Sequence, residues 1–396
     1  MYLREETKKI RVGNVSVGGG STVSVQSMTT ADTRDSNAAA EQIKRLEAEG
    51  CDIVRVAVPD EEAARAVEKI KKQISIPLVC DIHFDHRLAL ICVDGGADKI
   101  RINPGNIGSE EKTRAVTEKC KRNGIPIRIG INGGSLEKPL LERFGGVTPE
   151  AIVESAMGHV KILEDMDFHD IAISLKASNV PVTIEAYRLM AERRPYPLHV
   201  GITEAGTVWG GTIKSCAGIG AILSMGIGDT IRVSLTGDPV EEVRVGRKLL
   251  QSLELGGRHM IEFVSCPTCG RCCVDLISTA SAIEARLNEL EARGVFKKPL
   301  HVSVMGCAVN GPGEARNADI GIAGGKGEFL LFEKGVILGK LSPENAVEEF
   351  VNRVVQMGSS ADPFYSRENI AELERRVSDI RSGKSTLKEH ELIEEK

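Results

Sequence analysis

The sequence predicts a (β/α)8 TIM barrel over residues 1–257, then a smaller α+β domain over residues 258–360. Three observations lead there. Eight short β-branched runs recur at a spacing of about 25–35 residues, separated by longer amphipathic stretches, as βα units require. That alternation breaks after "LELGGRHMIEF" (253–263), where Gly-punctuated strands take over. The 396 residues, 41 of them glycine, leave room for two cores and many tight turns.

The opening segment, "KIRVGNVSVGGGSTVSV", reads as a hairpin that leads into the first barrel strand and plugs the barrel floor. The eight runs are "VSVQS" (23–27), "DIVRVAV" (52–58), "PLVCDI" (77–82), "KIRIN" (99–103), "IPIRIGI" (125–131), "DIAISL" (170–175), "PLHVGI" (197–202) and "TIRVSL" (230–235). Between them lie helical patterns such as 37–50 and 149–166, several ending in the Gly expected at a helix C-terminus. An open doubly wound sheet also alternates β with α, so the number of strands decides for a barrel. The second domain reads as "IEFVS", a helix over 274–294, "LHVSVMG", "ADIGIAG", "GEFLLFEKGVILGK" and a closing helix from "SPENAVEEFVNRVVQM". Residues 361–396 are highly charged and read as a solvated helix and tail.

Composition narrows the function classes. A net charge of −5 and 4% aromatic residues, with Trp209 alone of its kind, argue against a nucleic-acid surface. No apolar run approaches the roughly 20 residues that span a bilayer, and the charged start lacks an apolar signal core. A cytoplasmic protein is expected, in which clustered thiols serve metal binding or catalysis and not disulfides. Cys51, Cys80, Cys92, Cys120 and Cys216 stand apart from one another in apolar or helical patterns and read as packing residues.

Barrel strands are buried on both faces, yet four carry a cation mid-run: Arg55, Arg101, Arg128 and Arg232; Lys176 follows directly on a fifth. A buried unpaired guanidinium costs several kcal/mol, so each needs an anion. Asp81, Asp98 and Glu204 are candidate internal partners. Five cations near the C-terminal strand ends favour a second reading, a clamp for a small, highly anionic ligand such as a diphosphate. Asn103, Asn132, Thr203, Glu204 and Ser234 follow the same strand ends and join that constellation. In "CDIHFD", Asp81 and His83 share one face and read as an acid/base pair beside the clamp. Metal binding with Asp85 or His86 is the less favoured reading, since no complete ligand set lies nearby.

"CPTCGRCC" (266–273) concentrates four thiols. Its C-x2-C-x2-C spacing fails the ferredoxin run, because Leu276 stands where the fourth Cys belongs. A zinc ribbon would need a second C-x2-C, and none exists. The next thiol is Cys307, followed seven residues later by Glu314 in "GCAVNGPGEA". Three thiolates and a carboxylate form an asymmetric set that leaves one iron of a cluster distinct, bound by a harder and more displaceable ligand.

Together "SCPTCGR", "GCAVNGPGEA", "DIHFD", "RINPGN", "IRIGINGGSLE", "SLKAS", "GITEAG", "GIGDTIRVSL" and "DPVEE" resemble the 4-hydroxy-3-methylbut-2-en-1-yl diphosphate synthase family in its shorter bacterial form. The resemblance runs in order from "VGNVSVGGG" to "GPGEA". It implies reductive ring opening and dehydration of methylerythritol cyclodiphosphate, with flavodoxin or ferredoxin supplying two electrons through a 4Fe-4S cluster. It implies Cys266, Cys269 and Cys307 as cluster ligands, with Glu314 as the fourth, replaceable by substrate. It places Arg55, Arg101, Asn103, Arg128, Asn132, Lys176, Thr203, Arg232 and Ser234 on the diphosphate. Asp81, His83 and Glu204 fall near the reacting carbons, with Glu204 the foremost proton handler. It further implies a homodimer in which the cluster domain of one chain caps the barrel of the other. Cys272 and Cys273 lie outside the family motif and read as bystanders. Two other readings stand beside it: a non-redox barrel enzyme with a structural zinc, and a cluster protein that transfers electrons or senses iron.

Overall fold

The computed structural model describes residues 4–103, 107, 110–256, 260–307, 315–359 and 375–376. The chain divides into two compact units, Met1–Gly257 and Arg258–Lys396. In the first, β1 (Ile10–Val12) and β2 (Val15–Val17) form an antiparallel hairpin. Eight parallel strands follow: β3 (Ser24–Met28), β4 (Ile53–Val58), β5 (Leu78–Ile82), β6 (Lys99–Ile102), β7 (Ile127–Asn132), β8 (Ile171–Lys176), β9 (His199–Val200) and β10 (Thr230–Ile231). Their spatial order is β8-β7-β6-β5-β4-β3-β10-β9. A bridge between Ile173 and Leu198 joins β8 to β9 and closes the ring.

Most of the helices that wrap the barrel begin on short polar caps. These are α1 (Ser36–Ala48), α2 (Glu61–Lys71), α3 (His86–Asp94), α4 (Glu110–Asn123), α5 (Lys138–Phe144), α6 (Pro149–Glu164), α7 (Val180–Arg193), α8 (Val208–Ser224) and α9 (Pro239–Ser252). Asp35, Asp60, Asp85, Thr148, Asn179 and Asp238 each accept a backbone N–H from the first turn of the helix they open. Proline stands in the first turn of α6, α7 and α9, where a missing N–H costs nothing. Five of these caps, Asp35, Asp60, Asp85, Asn179 and Asp238, end the loops that follow β3, β4, β5, β8 and β10 at the C-terminal ends of the strands.

The hairpin is the floor plug. Ile10, Val12 and Val17 pack with Ile53, Val79 and Ala172, which lie near the starts of β4, β5 and β8. Asp229, only 2% exposed, fastens the preceding segment. It accepts the Thr7 hydroxyl at 2.9 Å and the Leu198 N–H at 2.7 Å. Burial pushes its carboxyl up to about 6, against those hydrogen bonds and the attraction of Arg4. A carboxyl raised by folding contributes stability below its unfolded value, near pH 4, and loses it as pH rises through about 6. Asp229→Asn is therefore expected to gain roughly 3 kcal/mol over wild type above pH 7 and to converge with it below about pH 4. Thermal unfolding across that range checks this; a difference that does not vary with pH would refute it.

The runs at 197–202 and 230–235 form shorter strands than the sequence suggests. β9 and β10 are two residues each. Beyond them, the Arg232 N–H still reaches the Val200 carbonyl at 2.9 Å, but the chains then part into the loops that carry Thr203, Glu204 and Ser234.

The second unit holds a five-stranded sheet, β11 (Ile261–Ser265), β12 (Leu300–Met305), β13 (Ile320–Gly324), β14 (Phe329–Glu333) and β15 (Val336–Leu341), in sequence order. The first three strands are parallel and the last two antiparallel. Helices α10 (Leu276–Ala292) and α11 (Ala346–Ser359) cover it through Ile283, Leu287, Phe350 and Val354. Among the described residues no helix is long and apolar enough to cross a membrane.

Candidate active site

Inward positions on a barrel strand recur every second residue. On β6 that rule aligns Lys99 and Arg101, with Asn103 just beyond; on β8 it aligns Ser174 and Lys176. Ladder register sets Arg55 beside Val79, Asp81 beside Arg101, and Arg101 beside Arg128. Two glycines make room for these long cations. A Cβ on Gly130 would sit 2.5 Å from Arg101 Nε, and one on Gly201 would sit 2.9 Å from Lys176 Nζ.

Asp81 is the hub. It takes a hydrogen bond from Arg101 Nη1 at 2.9 Å and lies 3.7 Å from Arg55 Nε. Burial alone would raise its carboxyl. A hydrogen bond with His83 and the charges of Arg55, Arg101 and Arg128 instead hold it far below the usual carboxylate range. His83 Nε2 is 2.9 Å from Arg101 Nη1 but 3.4 Å from Asp81. Nε2 is thus in reach of both groups, accepting from Arg101 in one tautomer and donating to Asp81 in the other. Asp85 caps α3 and pairs with Arg87 at 2.7 Å, so it does not complete a metal site with Asp81.

Two expected internal partners are corrected. Asp98 pairs with Lys71 at 2.6 Å and accepts the Leu78 N–H, tying α2 to the start of β5. Glu204 is exposed on the loop after β9, its backbone held at φ +52°, a left-handed conformation that is costly for a residue other than glycine. The partner that sequence reasoning missed is Glu242, in the first turn of α9. It is 5% exposed, lies 3.3 Å from Arg232 Nη2, and accepts the Ser27 hydroxyl and the Leu235 N–H. Nothing local in "DPVEE" marks this acid as different from its surface neighbour Glu241.

Five cations thus face two carboxylates, Asp81 and Glu242. Arg128 is 1% exposed, with Nε and Nη2 lacking hydrogen-bond partners. Burial, then repulsion by Arg55 and Arg101, lowers its guanidinium well below the ordinary value. Lys176 is lowered likewise by burial, and its strongest charged neighbours are Arg232, Arg128, Arg55 and Arg101, all cations. Arg55 is lowered to about 10 by burial, with Asp81 opposing. So much buried positive charge with so few carboxylates suits an anion of two or more charges. Asn103 is buried beside Arg101, and Asn132, Thr203 and Ser234 are half-buried at the ends of β7, β9 and β10. Lys99 and His199, both fully buried at inward positions, were also missed, although Lys99 stands two residues before Arg101 in the sequence. Burial, then nearby cations, lowers Lys99 to about 7 and lowers His199 too.

In the second unit, Cys266 follows β11 and Cys307 follows β12, at the same end of two paired parallel strands. The Gly306 N–H donates to Cys266 Sγ at 3.2 Å, which sets that sulfur beside the Cys307 backbone. Cys269 is exposed on the intervening loop. Hydrogen bonds from the Arg271 backbone and side chain lower its thiol, favouring the thiolate. Cys272 turns its thiol to the Val274 carbonyl at 3.3 Å, and Cys273 is exposed. Glu314 lies outside the described residues. Among those described, no three His, Cys, Asp or Glu side chains converge to hold a metal ion. Cys266 and Cys307 share one sheet end and Cys269 lies on the loop that leaves it, and three soft sulfur donors fit an iron–sulfur group in their chemistry. Cys51, Cys80, Cys92 and Cys120 are buried and Cys216 half-buried, as packing residues are.

A barrel with a candidate cationic small-molecule site and a second unit with candidate soft donors is the organisation of a two-domain enzyme. The GcpE TIM-barrel domain matches residues 7–247, and the GcpE protein C-terminal domain matches residues 262–356. The chain belongs to the GcpE family. It is similar to a protein named 4-hydroxy-3-methylbut-2-en-1-yl diphosphate synthase (flavodoxin) from Ruminiclostridium cellulolyticum. The two are 60% identical over 354 residues, covering 89% of this chain and 98% of that one. A protein of the same name from Caldanaerobacter subterraneus is 58% identical, covering 90% of this chain and 98% of its own.

Proposed function

We propose that this chain converts 2-C-methyl-D-erythritol 2,4-cyclodiphosphate to 4-hydroxy-3-methylbut-2-en-1-yl diphosphate, a reductive ring opening with loss of water in non-mevalonate isoprenoid synthesis. The observation that carries the reading is the surplus of buried positive charge around Arg128 and Lys176 at the C-terminal strand ends. The names of the two relatives support it.

Arg55, Arg101, Arg128, Lys176 and Arg232 hold the diphosphate, and Asn103, Asn132, Thr203 and Ser234 give it directional hydrogen bonds. Asp81 stays ionised and orients Arg55 and Arg101. His83 braces Arg101 from the mouth of the site and stands near the reacting carbons. Glu204, exposed on its strained loop, supplies the proton with which the departing hydroxyl leaves as water. Cys266, Cys269 and Cys307, with Glu314 as the replaceable fourth ligand, hold a 4Fe-4S cluster, which when bound supplies two electrons, one at a time, from flavodoxin. The enzyme works in the cytoplasm as a homodimer, the second unit of one protomer capping its partner's barrel and excluding water from the substrate.

The test is an anaerobic assay with the cyclodiphosphate and an artificial one-electron reductant. Formation of the linear diphosphate is expected; a colourless protein holding one zinc and giving no product would overturn the proposal.

A further inference from the structure

We infer that Tyr187 and Thr183, on α7, are positioning residues that set Lys176 in the anion clamp; this rests on the diphosphate reading above. The seam between β8 and β9 carries the observation. At its lower end the ladder is regular, with the Ile173 N–H bonded to the Pro197 carbonyl at 3.0 Å. In a parallel ladder the next bond on that side runs from the Leu175 N–H to the His199 carbonyl. The phenol of Tyr187 stands in its place. Leu175 N–H donates to Tyr187 Oη at 3.1 Å, and Tyr187 Oη donates to the His199 carbonyl at 2.5 Å.

One residue beyond Lys176 the same helix acts again. Thr183 Oγ1 accepts the Ala177 N–H at 3.2 Å and donates to the carbonyl of Asn179, 2.9 Å away. Asn179 in turn caps α7 by accepting the Val182 N–H. Positions 183 and 187 are one helical turn apart and face the strand together. The backbone on both sides of Lys176 is therefore fixed by two hydroxyls of one helix, both side chains fully buried.

A hydroxyl inserted into a ladder holds the strands further apart than a direct bond does. The bridged seam lies where Lys176 Nζ passes over Gly201, at a place that no Cβ could occupy. The ammonium gains access to the cationic ring without a carboxylate to anchor it. Without the phenol, the Leu175 N–H and His199 carbonyl would close on each other and carry the root of Lys176 with them.

Titration of the holoenzyme with inorganic pyrophosphate tests this. Tyr187→Phe and Thr183→Val are each expected to weaken binding about tenfold, about 1.4 kcal/mol, while Thr183→Ser, which keeps the hydroxyl, binds like wild type. Lys176→Met should weaken binding further, and adding Tyr187→Phe to it should cost nothing more, since the residue being positioned has gone. If Tyr187→Phe binds normally, or costs as much in the Lys176→Met background as in wild type, the inference is overturned alone. If Lys176→Met itself binds like wild type, the clamp reading falls and takes this inference with it. Thr183→Val repeats the test at a second position should Tyr187→Phe fail to fold.

Discussion

Arg128→Met is expected to lose turnover by roughly a hundred- to a thousandfold, the cost of deleting one partner of a buried charge pair. The same variant is expected to melt at a higher temperature than wild type. Arg128 is buried with two of its nitrogens unpartnered and Arg55, Arg101, Lys176 and Lys99 close by, so in the free protein its charge opposes folding. Methionine keeps much of the length and removes the charge, a change that is often neutral or stabilising by about 1–4 kcal/mol at buried ionic sites. Loss of activity and gain of stability in one substitution is what a residue retained for its ligand should show. Steady-state kinetics and calorimetry on the same preparation decide it. A variant both inactive and less stable would mean that the guanidinium is compensated internally, and the clamp would lose its main support.

The second large effect is expected at the thiols. Cys307→Ala should abolish both the visible absorption of the purified protein and its bound iron, with activity falling to background. Cys266→Ala should behave in the same way, because its sulfur sits beside the Gly306–Cys307 backbone. Cys272→Ala should keep wild-type iron content, since that thiol is turned toward the Val274 carbonyl. Iron and sulfide analysis of anaerobic preparations separates the outcomes. Iron lost from Cys272→Ala but kept in Cys307→Ala would reverse the proposed ligand assignment.

The barrel is legible in the sequence because parallel strands buried on both faces leave dense apolar runs, and a cation inside such a run is conspicuous. Arg55, Arg101 and Arg128 stand out for that reason. Glu242 does not, because acids are ordinary in the first turn of a helix, and only the fold turns this one inward toward Arg232. His199 is hidden differently. Its run of six residues reads as one strand, whereas the ladder keeps two and the rest bends into the site loop. Tyr187 and Thr183 act on the strand before their own helix, so their role depends on a packing angle that local patterns do not encode. In the second unit the motif names its sulfurs, but loop geometry sets how they converge, and spacing alone says little about it.

The floor hairpin has a consequence for the order of folding. It is made before the strands it seats on, since its seat needs Ile53, Val79 and Ala172, and the Thr7–Asp229 hydrogen bond spans 222 residues. The hairpin can pair with itself early, but its apolar face stays uncovered until the ring exists. Contacts so distant in sequence slow folding and lengthen exposure to aggregation. The hairpin acts as a latch on the finished barrel, not as its nucleus.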